Sequence, residues 1–189
     1  MSDTYSTYAD ICAKFYALTM DARAVAEFVM ARSQSGVGER ALFVGGMFDV
    51  AAGLSSLGLQ LTVVDYTEEM VRVGRRRLPQ CEVVRADLRE LPFRGQFDTV
   101  FVVGRVFTHM TTDHDLVAAL ASCHQALKPS GKLFADNYED SRILREHSIE
   151  SADRHECLEM CVRSLPSALQ EKVKLHISLV DFERCEMGV

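Results

Sequence analysis

The pattern of apolar and polar positions is helical in the N-terminal part of the chain. Val25, Phe28 and Val29 recur at helical spacing after Asp21, a residue type that often caps helices. Residues 33–38 break this pattern, and we expect the glycines among them to end the helix. The sequence therefore predicts a helical segment ahead of the first strand.

From residue 41 onwards, short apolar segments alternate with helical ones. Strands are predicted at residues 41–44, 61–64, 82–85, 97–103 and 132–136, and helices at 50–57 and 67–77. The fourth strand is apolar on both faces, as a central parallel strand must be. Because strands separated by helices require crossover connections, the pattern predicts an α/β fold with a doubly wound, mostly parallel sheet.

A further helix is predicted before the last of these strands. Leu116, Leu120, Cys123 and Leu127 step by four, three and four, so we expect them to form its buried face. The Pro129–Gly131 segment is expected to end this helix.

The pattern changes again after residue 150. Residues 151–165 predict a helix, and residues 173–179 alternate as in a half-buried strand. The chain ends a few residues later, and a long apolar strand without a covering strand invites another chain. We therefore expect a homodimer or a partner chain that pairs through this strand, or a truncated protein.

The composition of the chain argues against some classes of binding partner, nucleic acids among them. The 189 residues suffice for one domain, and 48% apolar with 25% charged residues is typical of soluble globular proteins. A net charge of −6 argues against sequence-independent binding to the phosphate backbone of nucleic acids. The positive charges of the Arg75–Arg77 run are explained by a position at the C-terminal end of a helix, where they interact favourably with the helix dipole. Six cysteines without framework spacing, no signal peptide and no membrane-spanning apolar segment predict a cytoplasmic protein with reduced thiols.

Candidate binding residues follow the predicted strands. In an open parallel sheet, ligands bind beyond the carboxyl ends of the strands. Gly45 and Gly46 follow the first strand, Asp65 ends the second and Asp87 follows the third. A carboxylate at the end of the second strand can accept hydrogen bonds from two ribose hydroxyls, and one after the third suits an adenine amine. Together these residues indicate a nucleoside.

Five segments in this order resemble the class I S-adenosylmethionine-dependent methyltransferases, especially those acting on small molecules. They are the glycine turn, VVDYTEEM, VRADLRELPF, FDTVFVV and ALKPSGKLFAD, and the resemblance runs from about Tyr8 to Tyr138. It implies one Rossmann-like domain over residues 1–189, with an N-terminal helical lid (1–38), a cofactor-binding core (39–138) and a substrate or interaction region (139–189). The usual C-terminal strand pair would be incomplete.

The resemblance also implies S-adenosylmethionine as cofactor and assigns residues to it. The methionine end would lie over the glycine turn, the acid at position 65 would hold the ribose, and the tyrosines of the N-terminal helices would close a lid. The implied cofactor-binding residues are Tyr8, Tyr16, Gly45, Gly46, Met47, Asp65, Tyr66, Met70, Asp87, Leu88, Val103 and Gly104.

The glycine turn departs from the family pattern. The family prefers an acid where this chain has Phe43, and further glycines where it has Met47 and Asp49. A thioether at position 47 would compete for the volume of the methionine moiety, and Asp49 would bring negative charge near its carboxylate. Either the loop still binds the cofactor, the interpretation we favour, or the fold has been kept while the use of the cofactor has changed.

Methyl transfer from a sulfonium is an in-line displacement, which needs a base only if the acceptor must lose a proton. His109, after the fourth strand, is the best-placed candidate, although a structural histidine bonded to nearby backbone fits as well. Arg105 fits either an anionic acceptor or a plain surface charge. Cys157 and Cys161 share a helix face, but no second ligand pair follows, so no metal is predicted.

Three functions remain open. The favoured hypothesis is a methyltransferase acting on a small molecule, with no nucleic acid or membrane partner. The degraded turn also allows a cyclisation or rearrangement enzyme on the same scaffold. A non-catalytic partner subunit is the third, prompted by that turn and the uncovered C-terminal strand. A dinucleotide site is less favoured because Val50 stands where its third glycine would be.

Overall fold

The computed structural model describes residues 4–136, in which helices and strands alternate as the sequence pattern requires. The helices are α1 (Thr4–Thr7), α2 (Ala9–Thr19), α3 (Ala22–Ser33), α4 (Phe48–Ser56), α5 (Glu68–Arg77) and α6 (Asp113–Ala126). The strands are β1 (Arg40–Val44), β2 (Gln60–Asp65), β3 (Glu82–Arg85), β4 (Phe97–Val102) and β5 (Leu127–Ala135). Short 3-10 helices span Leu88–Glu90 and Val106–His109.

The five strands form one parallel sheet in the order β3-β2-β1-β4-β5. The doubly wound, mostly parallel sheet predicted from the sequence is confirmed. The strand order reverses between β1 and β4, and in such folds the crevice at the reversal takes the ligand. The helix and strand predicted after residue 150 lie outside the described residues.

Apolar side chains cover both faces of the sheet. Successive residues of a strand point to opposite faces, so Phe43 packs into one cluster and its neighbours Leu42 and Val44 into the other. The first cluster also holds Phe48 and side chains of α2 to α5, and the second holds those of α6. Burial on two faces explains why β1 is a continuous apolar run.

The buried face of α6 includes Cys123, as predicted, but not the two leucines of the same pattern. Leu116 and Leu120 are 36% and 41% exposed, whereas small side chains such as Ala119 and Cys123 are buried. Small side chains let the helix lie close to the sheet, which leucines at the same positions would prevent. The leucine spacing therefore identified a helix but not its packed face.

The helix α6 also ends earlier than predicted. It stops at Ala126, and the next nine residues, including Pro129, form β5 beside β4 with a register shift at Phe97/Thr99. β5 is the outermost strand of the described sheet, where proline and irregular pairing are tolerated.

The predicted start of α3 is confirmed, but the residue type that ends it is not the predicted one. Asp21 caps the helix, its carboxylate accepting from Ala24 N at 3.0 Å, as predicted. The helix ends at Ser33, and the C-cap residue with the left-handed φ of 53° is Gln34 instead of a glycine.

The cysteines of the described part are free thiols. Burial raises the pKa of Cys123 to about 11, which keeps that thiol protonated. Cys12 and Cys81 are partly buried. Over residues 4–136 we find no helix with the length and apolarity to cross a bilayer.

One guanidinium joins the loop after β3 to α6. Arg89 binds Asp87 through Nη2 at 2.7 Å and through Nε, and its Nη1 donates to Asp115 at 2.9 Å. The hydrogen bonds from Arg89 hold the pKa of the Asp87 carboxyl below its ordinary value, and the pKa of Asp115 is lowered for the same reason. Arg89 thus fixes the loop in which Asp87 was predicted to meet an adenine.

A buried serine completes the same junction, and its loss should destabilise the fold. Ser122 Oγ accepts from Leu91 N at 2.7 Å. We expect Ser122→Ala to lower the free energy of unfolding by about 1–3 kcal/mol, because it leaves a buried N–H without an acceptor. Urea denaturation measures this. Ser56→Ala, at an exposed helical serine, is the control and should cost less than about 0.5 kcal/mol.

The Arg89 junction should also make stability depend on pH in a defined direction. A carboxyl whose pKa is lowered by folding contributes stability above its unfolded pKa and loses it as pH falls through the folded pKa. We expect Arg89→Met to be less stable than the parent at pH 7, and the difference to shrink below about pH 4.

Unfolding free energies measured from pH 7 to pH 3 check this expectation. Arg72→Met is the matched control, since the Arg72 guanidinium lies at the exposed surface, 3.7 Å from the Glu69 carboxylate. A gap between parent and Arg89→Met that stays constant down to pH 3 would contradict the assignment.

Candidate active site

The loops that follow the strands are held in line along the carboxyl edge of the sheet. Gly45 N donates to Val64 O of β2 at 2.9 Å, and Ala86 N donates to the carbonyl of Asp65 at 3.0 Å. The parallel hydrogen-bond pattern of the sheet thus continues into the loops after β1 and β3, which both bond to β2. This brings the predicted strand-end residues to one edge of the sheet.

The turn after β1 is closely packed on two sides. Gly45 has a φ of 110°, and a Cβ there would lie 3.0 Å from Val106 Cγ2 and 3.7 Å from Val103 O. A Cβ on Gly46 would collide with the methyl group of Met70 and lie 3.7 Å from an Asp65 carboxylate oxygen. Positions 45 and 46 therefore need glycine for conformation and for space respectively.

Asp65 is held at the end of β2 by its own loop. Its Oδ1 accepts from Thr67 N at 2.9 Å and from the Thr67 hydroxyl at 3.2 Å, while Oδ2 faces Gly46. Thr67 in turn caps α5 through Met70 N. The structure therefore brings together three predicted residues, Gly46, Asp65 and Met70, and this pairing of bare backbone with a fixed carboxylate suits a nucleoside.

Met47 fills the space between the turn and the loop after β4. The side chain is buried, at 7% exposure, and its sulfur contacts Gly104 so closely that a Cβ there would collide with it. Val103 belongs to the same apolar cluster. The structure thus also brings together Met47, Val103 and Gly104, with the thioether in the crevice.

The negative charge of Asp49 is compensated, which the sequence analysis did not anticipate. Its carboxylate accepts from Arg77 Nη1 at 2.8 Å, and the same nitrogen reaches Ala13 O at 3.3 Å. The charge that Asp49 brings to the turn is therefore paired with a guanidinium of α5.

The N-terminal helices reach the loop after β4 through aromatic residues. The hydroxyls of Tyr5 and Tyr16 are 3.2 Å apart, and the Tyr5 ring stands edge-on to His109 with 5.8 Å between centroids. Burial, followed by the hydrogen bond with Tyr5, raises the pKa of Tyr16 above its ordinary value, so the phenol is neutral. His109 itself is exposed.

The remaining predicted residues lie further from the turn or are engaged elsewhere. Tyr8 is 53% exposed and lines a cavity of about 400 Å³ beside α5, and Tyr66 is 58% exposed. Asp87 is paired with Arg89, and Leu88 is buried in the cluster on the face of α6. Their assignment to a cofactor stays a prediction.

Some residues of this region were not identified from the sequence. Asp136 accepts from the backbone N–H of Gly104 and Arg105, at 3.1 and 2.7 Å, and so holds Arg105 at its positive φ of 60°. Its position at the end of β5 was an available signal. Nothing in the pattern pointed to Tyr5 or to Arg77 as the partner of Asp49.

Across the part of the chain that the structure describes, no three His, Cys, Asp or Glu side chains are grouped as metal ligands. Cys157 and Cys161 lie outside that part.

Known proteins resemble the chain in sequence. Residues 45–131 match a family model described as a methyltransferase domain. The Bacillus subtilis (strain 168) protein named "Putative methyltransferase YqeM" is 26% identical over 102 residues, which make up 52% of this chain. The chain spans 41% of the length of that relative.

Solved structures resemble it in fold. A Methanococcus maripaludis protein (mmp1179), titled "putative s-adenosyl-l-methionine-dependent methyltransferase", is similar over 97% of this chain and 89% of its own, with a TM-score of 0.62 and 14% identity. The glycopeptide N-methyltransferase MtfA, in complex with sinefungin, covers 61% of this chain and 54% of its own, with a TM-score of 0.54 and 21% identity. The structure of the same enzyme in complex with S-adenosyl-L-methionine also covers 61% of this chain. Residues 45–131 thus match a methyltransferase domain, and the chain has the Rossmann-like fold of solved S-adenosylmethionine-dependent methyltransferases, a likeness that supports S-adenosylmethionine as the cofactor.

Proposed function

We propose that this protein transfers a methyl group from S-adenosylmethionine to a small molecule at the carboxyl edge of the sheet. The observation that carries the proposal is the approach of Gly46 to the Asp65 carboxylate, with a Cβ position only 3.7 Å from Oδ2. A fixed carboxylate beside backbone without a side chain is what a ribose needs, since both its hydroxyls can donate to one acid.

Different residues would bind the ribose and the adenine of the cofactor. Asp65 would hold the sugar, while Thr67 keeps one carboxylate oxygen in place. Tyr66 and Met70 would flank the adenine, and Asp87 with Leu88 would meet its edge. The Met70 methyl group already lies against Gly46, so it borders the space that the sugar would enter.

The acceptor would bind on the side of the loop after β4. S-adenosylmethionine supplies an electrophilic methyl group, and the protein has to hold the acceptor in line with it and exclude water. Tyr5 and Tyr16 would cover this side, because their hydroxyl pair connects the N-terminal helices to His109. His109 is the candidate proton acceptor for substrates that must lose a proton.

The charge distribution supports a small molecule as acceptor. The Arg75–Arg77 run is engaged in contacts within the chain, with Arg76 on Asp10 at 2.6 Å and Arg77 on Asp49 at 2.8 Å. It therefore offers little to a phosphate backbone, in keeping with the net charge of −6. The rearrangement enzyme and the partner subunit gain no specific support from the described residues.

Removal of the charge at Asp65 tests the cofactor site. We expect Asp65→Asn to weaken binding of S-adenosylhomocysteine at least tenfold, because hydrogen bonds to a charged acceptor contribute about 1.5–3 kcal/mol. The amide keeps an oxygen for Thr67, so the loop should persist. Isothermal titration calorimetry measures the change.

Asp98→Asn is the matched control for this measurement. Asp98 lies on the opposite edge of the sheet, next to the first residue of β4, and binds Lys128 at 2.8 Å. Affinity should stay within twofold of the parent. Equal loss in both variants, or no binding by the well-folded parent, would refute the proposed site.

The size of the acceptor can be tested without its identity. Incubating the protein with methyl-labelled S-adenosylmethionine and cell extract should place the label in the small-molecule filtrate, because the chain is acidic overall and the Arg75–Arg77 run is engaged in contacts within the chain. Label retained with protein or nucleic acid would contradict the small-molecule proposal, while Asp65→Asn serves as the background control.

A further inference from the structure

The crevice at the reversal of strand order is bounded by two loops that approach each other closely. The turn after β1 faces the segment after β4, with the Cβ position of Gly45 3.0 Å from Val106 Cγ2. Ligands of doubly wound sheets bind in this crevice. A cofactor that lies over the turn would therefore also lie next to the segment after β4.

The side chain of Met47 occupies this crevice. Its sulfur packs against Gly104, and a substituent as small as a methyl group on Gly104 would overlap it. Only 7% of the residue is exposed, and it shares a cluster with Val103. A methionine end that lay over the turn, as the resemblance implies, would meet the thioether in this conformation.

Asp49, a further departure from the family pattern, does not bring an unpaired charge to the turn. The charge of Asp49 is paired with Arg77 at 2.8 Å. Met70 lies on the other side of the turn, against Gly46 and next to Asp65, where it borders the adenosine end. Of these side chains, Met47 is therefore the one placed to compete for space with the methionine end of the cofactor.

We propose that Met47 is a movable plug that sets the affinity of this protein for its cofactor. The side chain leaves the crevice when the methionine end enters, so the cofactor binds only the minor conformer in which the crevice is open. The apparent affinity is therefore lower than the affinity of that open conformer, in proportion to the fraction of molecules that adopt it. Methionine suits this task, because its unbranched side chain has three rotatable bonds and adapts to different packing. This inference rests on the proposed function.

Met47→Ser tests the plug with little risk to folding. Met47 is the N-cap residue of α4 but makes no side-chain hydrogen bond there, and serine is a favoured N-cap that offsets part of the lost packing. We expect Met47→Ser to bind S-adenosylhomocysteine about tenfold more tightly than the parent, equivalent to about 1.4 kcal/mol.

Adenosine is the second ligand in this test. It carries the base and the sugar but no amino-acid portion, so it does not compete with Met47. Its affinity should change less than twofold in Met47→Ser. Calorimetry with both ligands therefore separates a specific effect on the methionine end from a general change in the site.

Two variants complete the test. Met47→Leu keeps the apolar volume with a stiffer, branched side chain, and should bind S-adenosylhomocysteine no more tightly than the parent. Met30→Ala removes a partly buried methionine of the same apolar cluster from α3, and should leave both affinities unchanged.

The outcomes separate the plug from the proposed function. If parent and Met47→Ser bind S-adenosylhomocysteine equally well, the cofactor site stands and the plug is refuted. If adenosine gains as much as S-adenosylhomocysteine, the effect does not come from the methionine end and the plug is also refuted. If no variant with a native circular dichroism spectrum binds either ligand, the proposed function falls, and the plug with it.

Discussion

The close packing of the turn after β1 is the constraint on which the rest of the site depends. Gly45 is pressed against Val106, and Gly46 lies under the Met70 methyl group, so neither position has room for a side chain. The parallel register of β1 with both neighbours holds the turn between the ends of β2 and β4. The same packing that orders Asp65 beside the turn also leaves the next side chain, Met47, directed into the crevice.

The fold was predictable because its determinants are local in sequence. Each buried strand is a short apolar run, and β3 lies at residues 82–85 as predicted. The packed face of α6 was not, since apolar spacing favours Leu116 and Leu120 while the buried position is Ala119. Which face of a helix is buried depends on the distance to the neighbouring element, and the sequence does not state that distance.

The sequence was enough to place the candidate residues at one edge of the sheet, but not to predict which side chains they contact. Strand ends gave Gly45 and Asp65 because parallel strands bring their carboxyl ends to one edge. The partners of the acids are a different matter: Arg77 is 28 residues from Asp49, and only the packing of α5 against α4 brings them together. Local pairs such as Asp87 with Arg89, two residues apart, were within reach of a sequence argument.

The two sides of the site are also mechanically connected. Arg89 binds Asp87 in the loop after β3 and Asp115 at the start of α6, and Asp115 Oδ2 accepts from the Thr112 hydroxyl at 2.9 Å. Thr112 follows closely after His109, so one guanidinium joins the loop predicted to meet the adenine to the segment that carries the candidate proton acceptor. The positions of the Asp87 and Asp115 carboxylates therefore depend on the same guanidinium, and loss of Arg89 would release both loops together.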